Sequence, residues 1–166
     1  MVAFAGYEMP LQYAGLLPEH HAVRQKAGIF DVSHMGEFFI SGPQAFDLLQ
    51  FATSNDVSKL SPGKIQYSCL PNDQGGIVDD LLVYQMDENR YMLVVNASNI
   101  EKDWERLKAL NEDFGAEMEN RSDSISLLAV QGPKAIDVLQ GLTETDLSQI
   151  PYYTFKIGSP GGISDV

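Results

Sequence analysis

A single cysteine, Cys69, leaves this 166-residue chain without a partner for an intramolecular disulfide, which points to a reducing, cytoplasmic setting. It lies in an apolar, strand-like run, where a buried inert thiol is the simpler reading than a nucleophile. Basic residues are scarce as well: 11 Lys and Arg against 23 Asp and Glu give a formal charge of −12. Neither nucleic acid nor an anionic membrane is a fitting partner, because each needs a basic patch. No apolar run approaches the roughly 20 residues that span a bilayer. The opening Met1-Val2-Ala3-Phe4-Ala5-Gly6 also lacks the charged n-region of a signal peptide. The three histidines, His20, His21 and His34, have no second pair of ligands at zinc-like spacing. What is present, 44% hydrophobic and 20% charged residues, is ordinary for a soluble globular chain and predicts one compact domain with a sizeable core.

The stretch that organises the chain is 75–96. Gly75 to Tyr84 and Tyr91 to Asn96 are apolar runs rich in β-branched and aromatic residues, joined by the turn-prone Met86-Asp87-Glu88-Asn89-Arg90. They predict an antiparallel hairpin. Gly75-Gly76 at its entry can bring backbone close to a ligand. Asp79 and Asp80 follow, and side-chain alternation sends them to opposite faces. Asp80 goes with Leu82 and Tyr84, and Asp79 with Leu81 and Val83. A carboxylate beside a large apolar and an aromatic side chain is a candidate for a desolvated group in a pocket. The plainer reading is a solvated strand-end pair satisfied by loop N–H groups.

Before the hairpin, residues 1–17 are rich in Gly, Pro and aromatics and predict an irregular segment. His20 to Ala27 has helical character. The run 28–36 carries Asp31, Ser33 and His34, too close in sequence to converge as a nucleophilic triad. For His34 a hydrogen-bonded residue near the core stands beside a catalytic base. A strand at Glu37 to Ile40, a Ser41-Gly42-Pro43 turn and a helix over about Gln44 to Thr53 come next, with Phe46, Leu48, Leu49 and Phe51 as candidate core. A loop over Asp56 to Lys64 leads to a strand at Ile65 to Leu70 with Tyr67 and Cys69 on one face. Beyond the hairpin, Ala97 to Leu110 predicts an amphipathic helix with Ile100, Trp104 and Leu107 as one buried stripe.

The segment from Phe38 to Gln50 recurs ninety positions later, from Leu128 to Gln140, with Gly, Pro, Ala, Asp, Leu and Gln at matching offsets. Each copy reads as a strand ending in a Gly-Pro turn, with Pro pre-setting φ for the following helix. Duplicated strand–turn–helix units predict a pseudo-twofold α+β fold with a mixed or antiparallel sheet and flanking helices.

Four stretches taken together, Phe4 to Tyr13, Gly28 to Gly36, Gly75 to Tyr84 and Leu93 to Asn99, resemble the aminomethyltransferase of the glycine cleavage system, its T-protein. The match runs nearly the whole chain. The resemblance implies transfer of an aminomethyl group from the lipoyl arm of the H-protein to tetrahydrofolate, giving 5,10-methylenetetrahydrofolate and ammonia. Family folate contacts fall on Met35, Tyr67, Tyr84, Asn96 and Tyr152, and the functional aspartate on Asp80. A flat pterin with polar edges suits such aromatic and Met walls with a carboxylate and an amide at the rim. The same fold serves sarcosine and dimethylglycine dehydrogenase folate domains and an iron–sulfur assembly protein, whose Lys-Gly-Cys-Tyr-x-Gly-Gln-Glu motif is absent here. Against the family pattern, the chain lacks opening residues before Phe4 and stops before a Ser-Arg-Thr-Gly-Tyr-Thr-Gly-Glu-like segment that supplies a pterin-binding glutamate. The Gly-rich close, Ile157 to Val166, departs from it too. Residues 1–166 are therefore expected to be a folate-binding fragment of a larger aminomethyltransferase. A folate-binding module without transferase activity, and a purely structural fragment, are the other readings.

Overall fold

The computed structural model describes residues 1–164 and 166; Asp165, within the Gly-rich close, lies outside the described residues. In chain order the elements are β1 (Val2–Phe4), β2 (Tyr7–Met9), α1 (Leu16–Gln25), β3 (Gly28–Asp31), β4 (Gly36–Ser41), α2 (Ala45–Ala52), β5 (Ile65–Pro71), β6 (Ile77–Asp87), β7 (Arg90–Val95), α3 (Ile100–Asn111), β8 (Glu117–Asn120), β9 (Leu128–Gln131) and α4 (Ala135–Gln140). The fold is α+β, and each strand pairing is antiparallel. Where length alone predicts one domain, the backbone divides into two compact units, Met35–Ile125 and Met1–His34 with Ser126–Val166. No helix among the described residues is long and apolar enough to cross a membrane.

The unit Met35–Ile125 is built on a five-stranded sheet in the order β5-β6-β7-β4-β8. The hairpin of the sequence reading is β6–β7, longer than expected because only Glu88 and Asn89 separate the register pair Asp87 and Arg90. Alternation along β4, β6 and β7 sends Phe38, Ile40, Leu81, Val83, Leu93 and Val95 to one face. There they join Leu48 and Leu49 of α2 and Leu107 of α3 in the core. Trp104 stacks on Phe38 at a centroid distance of 5.0 Å, so the predicted Ile100, Trp104, Leu107 stripe faces the sheet. Phe51 does not reach this core; it is exposed and rests against Phe114. Gly75-Gly76 has a role within the fold. It closes the β5–β6 turn, where Gly75 adopts φ 79° and the Asn72 side chain accepts from Gln74 N and Gly76 N at 3.0 and 2.8 Å.

In the other unit the segment predicted to be irregular contains the β1–β2 hairpin. Its two-residue turn has positive φ at both Ala5 (48°) and Gly6 (84°), the geometry whose twist matches paired strands. Helix α1 begins at Leu16 rather than His20. Pro18 is tolerated in its first turn, and one carboxylate oxygen of Glu19 collects the N–H groups of Tyr13, Ala14 and Gly15 at 2.6, 2.6 and 2.9 Å.

The duplication is carried into structure. Each copy is a strand, a Gly-Pro turn and a helix: β4–α2 in one unit and β9–α4 in the other. The likeness extends past the predicted segment. Gln50 Oε1 accepts from Val57 N at 2.9 Å and Gln140 Oε1 from Leu147 N at 3.0 Å. Asp56 and Asp146 each cap a short 3-10 turn through Ser58 and Ser148.

Candidate functional site

Strand register assembles the site on the sheet face opposite α2 and α3. Tyr67 stands opposite Leu82, Leu82 opposite Val94, and Val94 opposite Glu37. Cys69 stands opposite Asp80. Ile65, Tyr84, Met92 and Phe39 form a further row. Directly opposed residues share a face, so Tyr67, Asp80, Leu82 and Tyr84 are brought together as the sequence predicts. Asp80 is exposed. Tyr67 Oη donates to its Oδ2 at 2.9 Å and Asn96 Nδ2 to its Oδ1 at 3.0 Å. A carboxylate is acceptor-only with about four lone-pair sites, of which Tyr67 and Asn96 take two. Met35, half-buried, directly precedes Gly36, whose strand partner is Val95. Tyr152 belongs to the other unit, where it is 91% exposed and its ring lies 4.7 Å from that of Tyr153.

The desolvated member of the pair is Asp79, not Asp80. Alternation does separate them, but it is Asp79 that enters the core side, 6% exposed. Asn96 donates to it through N at 3.1 Å and Nδ2 at 2.9 Å, and Asn99 through Nδ2 at 2.6 Å. Burial pushes its pKa up, but hydrogen bonds from Asp103, Asn96 and Asn99 outweigh that, and the net shift is downward. Asp103, on α3 and 0% exposed, is driven the other way. Burial first, then the bond and charge of Asp79, raise it to about 8. The plainer sequence reading thus holds for Asp79 in part: a loop N–H, that of Asn96, does satisfy it.

Glu37 is 1% exposed, neither carboxylate oxygen has a hydrogen-bond partner among the described residues, and burial raises its pKa to about 7. His34, half-buried in the other unit, meets Phe4 edge to face at a centroid distance of 5.2 Å. Ser33 Oγ accepts from Leu127 N at 3.0 Å and Ser33 N donates to Asp31, a turn rather than a nucleophile. Sequence reasoning missed Asn99, Asp103 and Glu37. Asp103 had left a signal: an acid at i+3 from Ile100, inside the apolar stripe of α3.

With this geometry in place, likeness to known proteins is informative. The chain matches the GCVT N-terminal domain over residues 1–165. It belongs to this family. Over its full length it is 60% identical to an aminomethyltransferase of Flavobacterium psychrophilum and 59% identical to one of Bacteroides fragilis. In each case it covers 46% of the relative, so the chain spans about half the length of the curated relatives it matches. Among solved structures it resembles the glycine cleavage system aminomethyltransferase T of Bartonella henselae, with 41% identity and a TM-score of 0.74, over 84% of this chain and 38% of that one. The α+β architecture expected from the Gly-Pro repeat is therefore that of a GCVT N-terminal domain.

Proposed function

We propose that this GCVT N-terminal domain is the tetrahydrofolate-binding part of an aminomethyltransferase, with the pterin over Tyr67, Asp80, Leu82 and Tyr84. The observation that carries the reading is the sheet register, which gathers these four side chains on one face while Asn96 holds Asp80 from the next strand end. Met35 and Tyr152 are assigned to the same ligand on the family resemblance. In the reaction the aminomethyl carbon leaves the sulfur of the H-protein's lipoyl arm for a folate nitrogen. Its amine departs as ammonia, and ring closure gives 5,10-methylenetetrahydrofolate. Asp80 orients the pterin edge and takes the proton that the attacking nitrogen gives up. Tyr67 and Asn96 fix both of its oxygens for that task. Cys69, a free thiol beside Asp80, suits a reducing, cytoplasmic setting, which the lipoyl dithiol also needs.

Methylenetetrahydrofolate formation tests the assignment, measured in a full-length aminomethyltransferase carrying this sequence and supplied with aminomethyl-loaded H-protein. Asp80→Asn keeps size but cannot accept a proton, and transfer is expected to fall by orders of magnitude. Undiminished transfer would remove Asp80 from the mechanism.

A further inference from the structure

Behind Asp80, on the core side of the sheet, the acidic pair Asp79 and Asp103 has no part in the chemistry above. Asp79 is supplied with donors by Asn96 and Asn99. Asp103 has none: both its oxygens lack a donor among the described residues. The side chain it meets is Asp79, an acceptor too. Two ionised carboxylates in contact within a core repel strongly unless a cation or a proton lies between them. Of the cations beside Asp103 on α3, Lys102 has its Nζ bound to Val78 O at 2.8 Å and Arg106, one turn on, its Nη2 to Asp73 Oδ1 at 2.7 Å. Asn96 and Asn99, from the segment after β7, are neutral, which leaves a proton. Placed on Asp103, it turns an orphaned acceptor into an O–H donor to Asp79.

The consequence reaches the ligand face through Asn96. Its Nδ2 lies 2.9 Å from Asp79 Oδ1, 3.0 Å from Asp80 Oδ1 and 3.0 Å from Asp80 O. One amide therefore ties the buried carboxylate to the exposed one. We propose that Asp103 is a positioning residue for the Asp80 site: by sharing one proton with Asp79 it keeps that anchor in place, and the anchor orients the Asn96 amide with Nδ2 toward both carboxylates and Oδ1 away from them. This rests on the folate reading for its consequence, but not for its geometry. When the proton leaves, Asp79 and Asp103 repel, Asn96 loses its anchor, and Asp80 loses one of its two side-chain donors.

The test begins with this chain and no ligand. Carboxyl resonances of Asp79 and Asp103 and the side-chain amide of Asn96 are followed by NMR between pH 5 and pH 10. Asp103 is expected to titrate far above Asp79, with the Asn96 amide moving at the same midpoint. An Asn96 amide indifferent to the Asp103 titration overturns the proposal. Tetrahydrofolate binding supplies the second readout. The dissociation constant is expected to rise about tenfold from pH 7 to pH 9, the loss of roughly one charge-assisted hydrogen bond. Asp103→Asn donates to Asp79 at every pH, so it should abolish this rise, whereas Asp103→Leu should bind weakly throughout. An unchanged alkaline rise in Asp103→Asn contradicts the proposal, and the wild-type NMR titration decides it alone should that variant not fold. Coupling of Asp103 to Asn96 in a chain that binds no tetrahydrofolate would sink the folate reading and leave the positioning role standing.

Discussion

Asp80 presents to solvent a carboxylate whose two oxygens are already held by Tyr67 and Asn96, whereas Asp79 spends its lone pairs inside the core on Asn96 and Asn99. Substituting each by Asn should therefore separate turnover from stability. Asp80→Asn is expected to leave the melting temperature nearly unchanged while transfer collapses. Asp79→Asn puts an NH2 against donors already in place and leaves Asn96 or Asn99 short of an acceptor. A loss of about 2–4 kcal/mol is expected, as for other broken buried polar networks. Urea unfolding of both variants of this chain, beside a transfer assay of the same variants in the full-length aminomethyltransferase, checks the split; equal loss of stability in the two would contradict it. Glu37 makes a separate expectation at this scale. Burial raises its pKa from 4.5 to about 7, so between these values the folded chain holds a proton that the unfolded chain has released. Folding then binds protons, and stability falls as pH rises through that window. Glu37→Gln should flatten this part of the stability profile, and a slope unchanged by the substitution would show that Glu37 is not its source. Asp103 adds to the decline up to about pH 8, so the flattening is partial.

At the scale of elements, the hairpin and the Gly-Pro repeat were legible because each has a strong local signal: long alternating apolar runs in one, turn chemistry at a fixed offset in the other. Strand β8 was not, since Glu117-Met118-Glu119-Asn120 is polar and becomes a strand only by pairing with β4. Nor was the β1–β2 hairpin, where Ala5 occupies a positive-φ position that usually announces itself as Asn or Gly. The burial order of Asp79 and Asp80 was hidden for another reason. Alternation says that the two differ, but which face receives α2 and α3 is settled by packing remote in sequence. The duplicated turns also differ in a way that the repeat conceals. Both glycines have positive φ, 95° at Gly42 and 121° at Gly132. A Cβ at Gly132 would meet Val23 O and Lys26 O at 2.6 Å, while one at Gly42 would find only Gln44 Oε1 at 3.9 Å. Gly42→Ala should cost about 1 kcal/mol of backbone strain. Gly132→Ala should cost clearly more, roughly 3 kcal/mol or above, because carbonyl groups must also move. Denaturant unfolding of the two variants compares them directly, and equal costs would mean that the turns are equivalent after all.

For the molecule as a whole, the charge of −12 opposes approach of an anionic ligand, and tetrahydrofolate carries carboxylates on its glutamyl tail. Binding should therefore tighten modestly as salt rises from about 0.02 to 0.2 M, with screening shortening the reach of that repulsion. Affinity that instead falls steeply over this range would indicate a cationic site, contrary to the Asp80 face. On the folate reading, the sheet face of Tyr67, Asp80, Leu82 and Tyr84 receives the pterin. Titrating tetrahydrofolate into this chain while following NMR signals of the Tyr67 and Tyr84 rings, the Leu82 methyl groups and the Asn96 amide tests it most directly. The expected result is saturable shifts at these four residues, lost in Asp80→Ala, with the core-side Leu107 and Val83 methyl groups little changed. Saturable shifts confined to other residues, or no saturable shift at all, would contradict it.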